Sequence, residues 1–161
     1  MFMHEEALED RARLLVDQIA MLFENGGFSP VSGRIIGHLL LCDPPHQSSA
    51  QLADAVLASR GAISTQTRSL IRAGMVERVR FAGDRSAYFR LVEGCWARLL
   101  EAERARVQVL RRVGDEALAY FDAIGAPPAR TLRLRELRDF NAFIESELPV
   151  LIEHWHTRSA P

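Results

Sequence analysis

Apolar residues at Leu8, Ala12, Leu15, Ile19, Leu22 and Phe23 recur in steps of three and four, which keeps them on one face of a helix from Glu5 to Asn25. Glu5, Glu6, Glu9 and Asp10 crowd its start, where the helix dipole favours negative charge. Asn25-Gly26-Gly27 ends it, because glycine accepts the left-handed conformation that follows a helix terminus. Ser29-Pro30 opens a second helix carrying Ile35, Ile36, Leu39 and Leu40, and Asp43-Pro44-Pro45 stops it. Gly33 and Gly37 share one face of that helix. They mark either a close approach by another helix or a plain weak point. A third helix turns Leu52, Ala53 and Val56 inward, with Ser48 or Ser49 as its N-cap. After a turn at Ala58-Ser59, a fourth runs over Arg60–Ala73, with Ser59 as N-cap and an inner stripe of Ile63, Thr67, Leu70 and Ile71.

Gly74 closes the fourth helix, and the pattern then changes period. Met75–Phe81 reads as a strand, Ala82-Gly83-Asp84-Arg85 as a tip and Ser86–Leu91 as the returning strand. A long helix follows from Cys95 to Ile124 with two apolar stripes. One holds Leu99, Ala102, Val109, Val113 and Tyr120, the other Leu100, Val107, Leu110 and Phe121. Both stripes need cover, which a second subunit supplies economically. Gly125-Ala126-Pro127-Pro128 breaks this helix. A last one spans Ala129–His156 with Leu137, Phe140, Ile144, Leu148, Leu151 and Trp155 on one face. Pro149 lies inside it and predicts a kink or break near Ser146–Pro149. The expected fold is mainly α with a small β-hairpin. A winged helix–turn–helix domain at 29–92 is flanked by an N-terminal helical arm at 1–28 and a C-terminal helical dimerisation region at 93–161.

With 161 residues, 48% of them hydrophobic and 25% charged, the chain is an ordinary globular protein. Its net charge of -1 conceals a division. Residues 30–92 carry eight arginines against four acids, while the flanks together are acidic. A basic middle between acidic arms is the footprint of a polyanion-binding unit. All twenty basic residues are arginine, which we attribute to codon usage. Cys42 and Cys95 sit in apolar runs without CxxC spacing and read as buried thiols of a reducing, cytoplasmic setting. The acidic start lacks the apolar core of a signal peptide, and no apolar run approaches a membrane span.

The fourth helix is the informative element. Opposite its inner stripe lie Gly61, Thr65, Arg68 and Arg72, with Ser64 and Ser69 at the edges. This face is small, polar and basic and holds no acid, whereas a merely solvated face mixes both signs.

The run from Ser32 to Leu91 resembles the MarR superfamily of winged helix–turn–helix regulators, and most nearly the branch named for GbsR, the regulator of glycine betaine synthesis genes. The resemblance is carried by Gly33-Arg34-Ile35-Ile36-Gly37, by Ala58-Ser59-Arg60-Gly61-Ala62-Ile63-Ser64, by Gly74-Met75-Val76-Glu77-Arg78, and by Gly83-Asp84-Arg85 followed by Tyr88-Phe89. The arms fit by helix count only. The resemblance implies a homodimer held by terminal helices that binds a near-palindromic operator and usually represses. In some relatives a small-molecule effector releases the DNA.

On this reading the recognition-helix contacts are Ser59, Arg60, Gly61, Ser64, Thr65, Arg68 and Arg72. Arginine can bond a guanine edge bidentately, and small residues let the backbone come close. Asp84 and Arg85 form the wing contact. Arg85 reaches a minor groove, while Asp84 orients it or shapes the turn. Arg34 and Arg78 are candidate phosphate contacts or, equally, partners in intradomain salt bridges. Trp96, Tyr120, Phe121 and Trp155 are the candidate effector pocket, suited to a quaternary ammonium through cation–π contact, or else simply core. No cofactor or metal is expected, because His154 and His156 point to opposite sides of a helix. Enzymatic chemistry is excluded on motif grounds: there is no phosphate loop, no HExxH and no GxSxG. The competing function is a winged-helix module that binds another protein and no DNA.

Overall fold

The computed structural model describes residues 2–159, with side chains described over 10–158. Leu8, His4 and the acids Glu5, Glu6 and Glu9 therefore lie outside the described side chains. The element order is α1 (Phe2–Asn25), α2 (Pro30–Leu41), β1 (Gln47–Ser48), α3 (Ser49–Ala55), α4 (Arg60–Arg72), β2 (Val76–Val79), β3 (Tyr88–Leu91), α5 (Trp96–Ala123) and α6 (Pro128–Ser159). The chain divides into two compact units, residues 1–95 and 96–161. The 1–28 arm thus shares a unit with the winged segment and does not stand apart from it.

In the first unit Ser29 caps α2 by accepting the Ser32 N–H, with Pro30 in the first turn. Gly33 and Gly37 are needed for packing. A Cβ on Gly33 would lie 2.7 Å from the Ala20 carbonyl oxygen, and one on Gly37 would lie 3.0 Å from that of Val16. The backbones of α1 and α2 therefore touch with no side chain between them. Ser48 and Gln51 form a reciprocal capping box at the start of α3. Ser59 caps α4 by accepting the Ala62 N–H. At its other end Gly74, at φ 68°, closes a Schellman motif in which Met75 N–H donates to Leu70 and Gly74 N–H to Ile71. The connection between α3 and α4 runs through Leu57 at φ 53°, a left-handed conformation on a leucine that is 90% exposed.

Ile35, Ile36, Leu52, Ile63, Leu70, Met75 and Val76 are fully buried and make the core on which α4 and the sheet sit. Thr67 is buried too, and its hydroxyl donates to the Ile63 carbonyl at 2.7 Å. Ile71 is exposed, because it faces the side of Ser64 rather than that of Leu70. The sheet has three antiparallel strands in the order β1-β3-β2. Both hairpin strands are shorter than the alternation predicts, and the third strand is new. Gln47 and Ser48 pair with Phe89 and Tyr88, so the wing is fastened to the segment between α2 and α3.

In the second unit α5 and α6 pack as a pair, and Gly114 lets them close: a Cβ there would lie 2.9 Å from that of Arg138. Arg111 of α5 binds Glu145 of α6 at 2.6 Å, and Arg135 of α6 reaches back to Asp122 at 3.2 Å. The helix α6 runs from Pro128 to Ser159 as one element with Pro149 inside it, so of the expected kink or break the break does not occur. Only one backbone donor is lost there, and Leu148 beside it is buried, which holds the turn. Of the stripes expected on α5 and α6, Val107 and Leu148 are buried, while Val109, Val113, Tyr120, Leu137, Phe140 and Leu151 remain exposed. Cys95 is buried, Cys42 is half-buried, and both are free thiols.

Candidate nucleic-acid interface

The side of α4 turned away from the core carries Arg60, Gly61, Ser64, Thr65, Arg68, Ser69 and Arg72, all exposed. The helix leans on the core through Ile63, Thr67 and Leu70, so the opposite face is left to solvent by geometry. Arg60 and Arg72 make no ion pair among the described residues, and Arg68 only donates from Nε to its own helix, at the Ser64 carbonyl. A helix can satisfy such a guanidinium while its terminal nitrogens stay available outward. Gly61 lies in open space: among the described residues outside its own helix backbone, the atom near a Cβ there would be the Ser59 hydroxyl, at 3.9 Å. Nothing among the described residues requires a glycine at this place, although glycine costs a helix stability. What it leaves is room for the backbone of α4 to come close to something outside.

Gln66 stands at the flank of this face, and residue patterning missed it. Its Oε1 accepts the hydroxyls of Ser29 and Ser32, each at 2.9 Å, so the N-terminal turn of α2 grips the middle of α4. The Ser29 oxygen is itself occupied by the Ser32 N–H. The signal for this grip, a capping serine one helix away, has no periodicity in the sequence.

The wing tip is organised by Asp84. Its Oδ1 accepts the Ser86 N–H and its Oδ2 the Tyr88 hydroxyl, each at 2.7 Å. Those hydrogen bonds, with that from Tyr88 the larger influence, hold the Asp84 carboxyl below its usual range and push the Tyr88 phenol up. Asp84 therefore shapes the turn. Arg85 makes no hydrogen bond or ion pair among the described residues and stands exposed. Arg78 and Arg80 on the same hairpin are likewise exposed and without an ion pair, whereas Arg90 is tied to Glu77 across the strands at 2.7 Å. Arg34 binds Asp17 of α1 at 3.3 Å, which takes up the salt-bridge alternative offered for it.

Of the four aromatics expected to line one pocket, Trp96 and Tyr120 stand too far apart along α5 to share one within a chain. Trp96 opens α5 and Tyr120 lies near its far end, about 36 Å along a helix axis at 1.5 Å per residue. Tyr120 and Phe121 touch each other edge-on, and Arg130 stacks over Phe121 at 4.8 Å. Trp155 is exposed near the end of α6. A cavity of about 560 Å³ lies elsewhere, lined by Val16 and Asp17 of α1, Arg34, His38 and Cys42 of α2 and its end, and Leu57. Burial there pushes the His38 imidazole below its ordinary value, and desolvation raises the Cys42 thiol. Among the described residues no group of His, Cys, Asp or Glu could hold a metal ion, and no helix is long and apolar enough to cross a membrane.

A short helix, a turn, an acid-free second helix and an arginine-tipped hairpin on one three-stranded sheet together define a winged helix–turn–helix protein. Comparison with known proteins gives the particular family. The chain is 44% identical over 132 residues to the HTH-type transcriptional regulator MmpR5 of Mycobacterium tuberculosis, covering 81% of this chain and 78% of that one. Residues 94–158 match the MmpR5-like MarR family of transcriptional regulators. A crystal structure of a transcriptional regulator, 39% identical, superposes with a TM-score of 0.69 over 91% of this chain and 99% of the other. The chain belongs to the MarR family of transcriptional regulators, a family of regulators and not of enzymes. The family match falls on the C-terminal helices, the very region in which motif reading found no resemblance.

Proposed function

We propose that the protein is a sequence-specific DNA-binding regulator that works as a homodimer on a near-palindromic operator, usually as a repressor. The observation that carries this reading is the exposed, acid-free face of α4, whose arginines have no ion-pair partner among the described residues. On it Ser59, Arg60, Gly61, Ser64, Thr65, Arg68 and Arg72 lie in a major groove, and Arg85 enters the adjoining minor groove. Arg78 is placed for a phosphate. Asp84 contributes through the turn it holds.

The homodimer is supported by the apolar side chains of α5 and α6 left exposed in a single chain, among them Val113, Tyr120, Phe140 and Phe143. A small-molecule effector is supported by the 560 Å³ cavity beside α1 and α2, a size suited to a compact organic ligand. Placement on the branch named for GbsR rests on the motifs from Gly33 to Phe89 alone, and the relatives found speak for the wider family.

Selection of bound duplexes from a random pool tests this directly. A symmetric motif is expected, and its affinity should fall log-linearly with salt by about 0.9 per phosphate neutralised. Failure to enrich any motif, together with a flat salt response, would leave the protein-binding module as the better reading.

A further inference from the structure

An acid at the tip of a hairpin that enters a DNA groove is a liability, since it faces phosphates and adjoins the one arginine meant to reach them. Asp84 is the immediate neighbour of Arg85, on a tight turn with Gly83 at φ 83°. Left alone, its carboxylate would pair with the guanidinium beside it and neutralise it. It is not left alone, because each of its oxygens accepts a hydrogen bond, one from the Ser86 N–H and one from the Tyr88 hydroxyl. Tyr88 is well placed to hold on. It sits on the central strand, in register with Val79 of β2 and Ser48 of β1. Its ring lies edge-on to His46 at 5.2 Å and against Phe81 at 5.4 Å, and those two rings contact each other at 4.4 Å.

We propose that Tyr88 is a positioning residue of the wing: its hydroxyl sequesters the Asp84 carboxylate and so keeps Arg85 a free cation for the DNA groove. The proposal rests on the reading of the wing as a DNA contact and adds to it the residue that sets how well that contact works. The ring cluster with His46 and Phe81 fixes where the hydroxyl stands. The hydroxyl fixes where the acid points, and the acid's direction decides whether Arg85 is available. A role in folding alone and a role in sequestration differ in sign at Asp84. If the Asp84–Tyr88 bond merely braces the turn, removing the charge of Asp84 cannot repair its loss. If the bond exists to restrain a competing charge, removing that charge makes the restraint unnecessary.

The test measures affinity for the selected operator with the full-length protein carrying Arg85→Ala, Tyr88→Phe, Asp84→Asn, and Tyr88→Phe with Asp84→Asn. Phenylalanine keeps the ring packed and asparagine keeps the acceptor for Ser86, so all four are expected to fold, and far-ultraviolet circular dichroism confirms it. Tyr88→Phe should weaken binding about tenfold, roughly the worth of one groove contact. Tyr88→Phe should lose more affinity than Asp84→Asn, because asparagine keeps the Ser86 bond that shapes the turn and carries no charge to pair with Arg85. The double variant should return to within about twofold of it, a non-additivity that independent sites do not show. A double variant as weak as Tyr88→Phe, or an Asp84→Asn protein that is itself tenfold weaker, overturns the sequestration. If Arg85→Ala binds like the unaltered protein, the wing contact is wrong and the inference goes with it. If Arg85→Ala weakens binding but Tyr88→Phe does not, only the inference fails.

Discussion

Arginine is placed in two different ways in this chain, and the contrast lies between the exposed face of α4 with its hairpin and the α5–α6 pair. On α5 and α6 five of the ten arginines are matched to acids. Arg98 meets Glu101, Arg106 meets Glu103, Arg111 meets both Asp115 and Glu145, and Arg138 meets Asp139. On α4 and the hairpin, Arg60, Arg68, Arg72, Arg78, Arg80 and Arg85 have no such partners among the described residues. Codon usage can explain why every basic residue is arginine, but it cannot explain why α4 holds no acid at all while acids are interleaved with the arginines of α5 and α6. Charge that is compensated internally contributes to helix pairing. Charge left uncompensated costs the fold little at an exposed position and is available to an outside polyanion.

The sharpest way to break this contrast is to remove the unpaired set. Arg68→Ala with Arg85→Ala is expected to weaken operator binding by about a hundredfold or more, at ~1–3 kcal/mol for each contact. Unfolding stability should change by less than about 0.5 kcal/mol for such surface positions. Gel shifts and denaturant titrations on one preparation decide it, and loss of stability without loss of binding would reverse the assignment.

Gly61→Ala should separate the two demands at one residue. The exposed helix gains about 0.5 kcal/mol from the better helix former, while binding weakens because the backbone is held off. A variant that gains stability and binds unchanged would mean that nothing approaches Gly61.

On the paired side, Arg111→Ala is expected to leave operator affinity alone and to change the acid response instead. The Arg111 guanidinium holds the Glu145 carboxyl below its ordinary value of 4.5. Its contribution is therefore complete above that pH and lost as pH falls through the lowered native value. Without Arg111 the fall in thermal midpoint below pH 4.5 should be shallower. An unaltered acid limb would show that this pair has no influence on stability.

The smallest effect is expected from Leu57→Gly, which relieves a left-handed leucine but loosens the unfolded chain. The two nearly cancel, leaving a gain of about 0.5 kcal/mol. A loss of similar size would mean that the Leu57 side chain, not its backbone, matters.

Much of the candidate DNA-facing surface was legible in the sequence because its determinants are local. Ser59 as a cap, Gly74 as a stop, and the run of small and basic residues between them all follow from helix period and capping chemistry. So did the close packing at Gly33 and Gly37, although only the structure decided between contact and weakness. The strand β1 was not legible, because two residues carry no alternation and their pairing is supplied by β3. Ile71 looked like core because it adjoins Leu70, yet one residue of rotation turns it to the outside. Tyr88, Gln66 and Ser29 act through partners distant in the chain or through a hydroxyl whose direction no pattern encodes. The aromatics were grouped by type alone, and helix length sets Trp96 and Tyr120 at opposite ends of α5.

The direct backbone contact of α1 with α2 at Gly33 and Gly37 leaves no soft layer between those helices. Ser29 and Ser32, at the head of α2, in turn hold Gln66 of α4. The first helix is thus joined to α4 by close backbone packing and two hydroxyl hydrogen bonds, so a shift of α1 is expected to be passed on to α4, the helix proposed to face DNA.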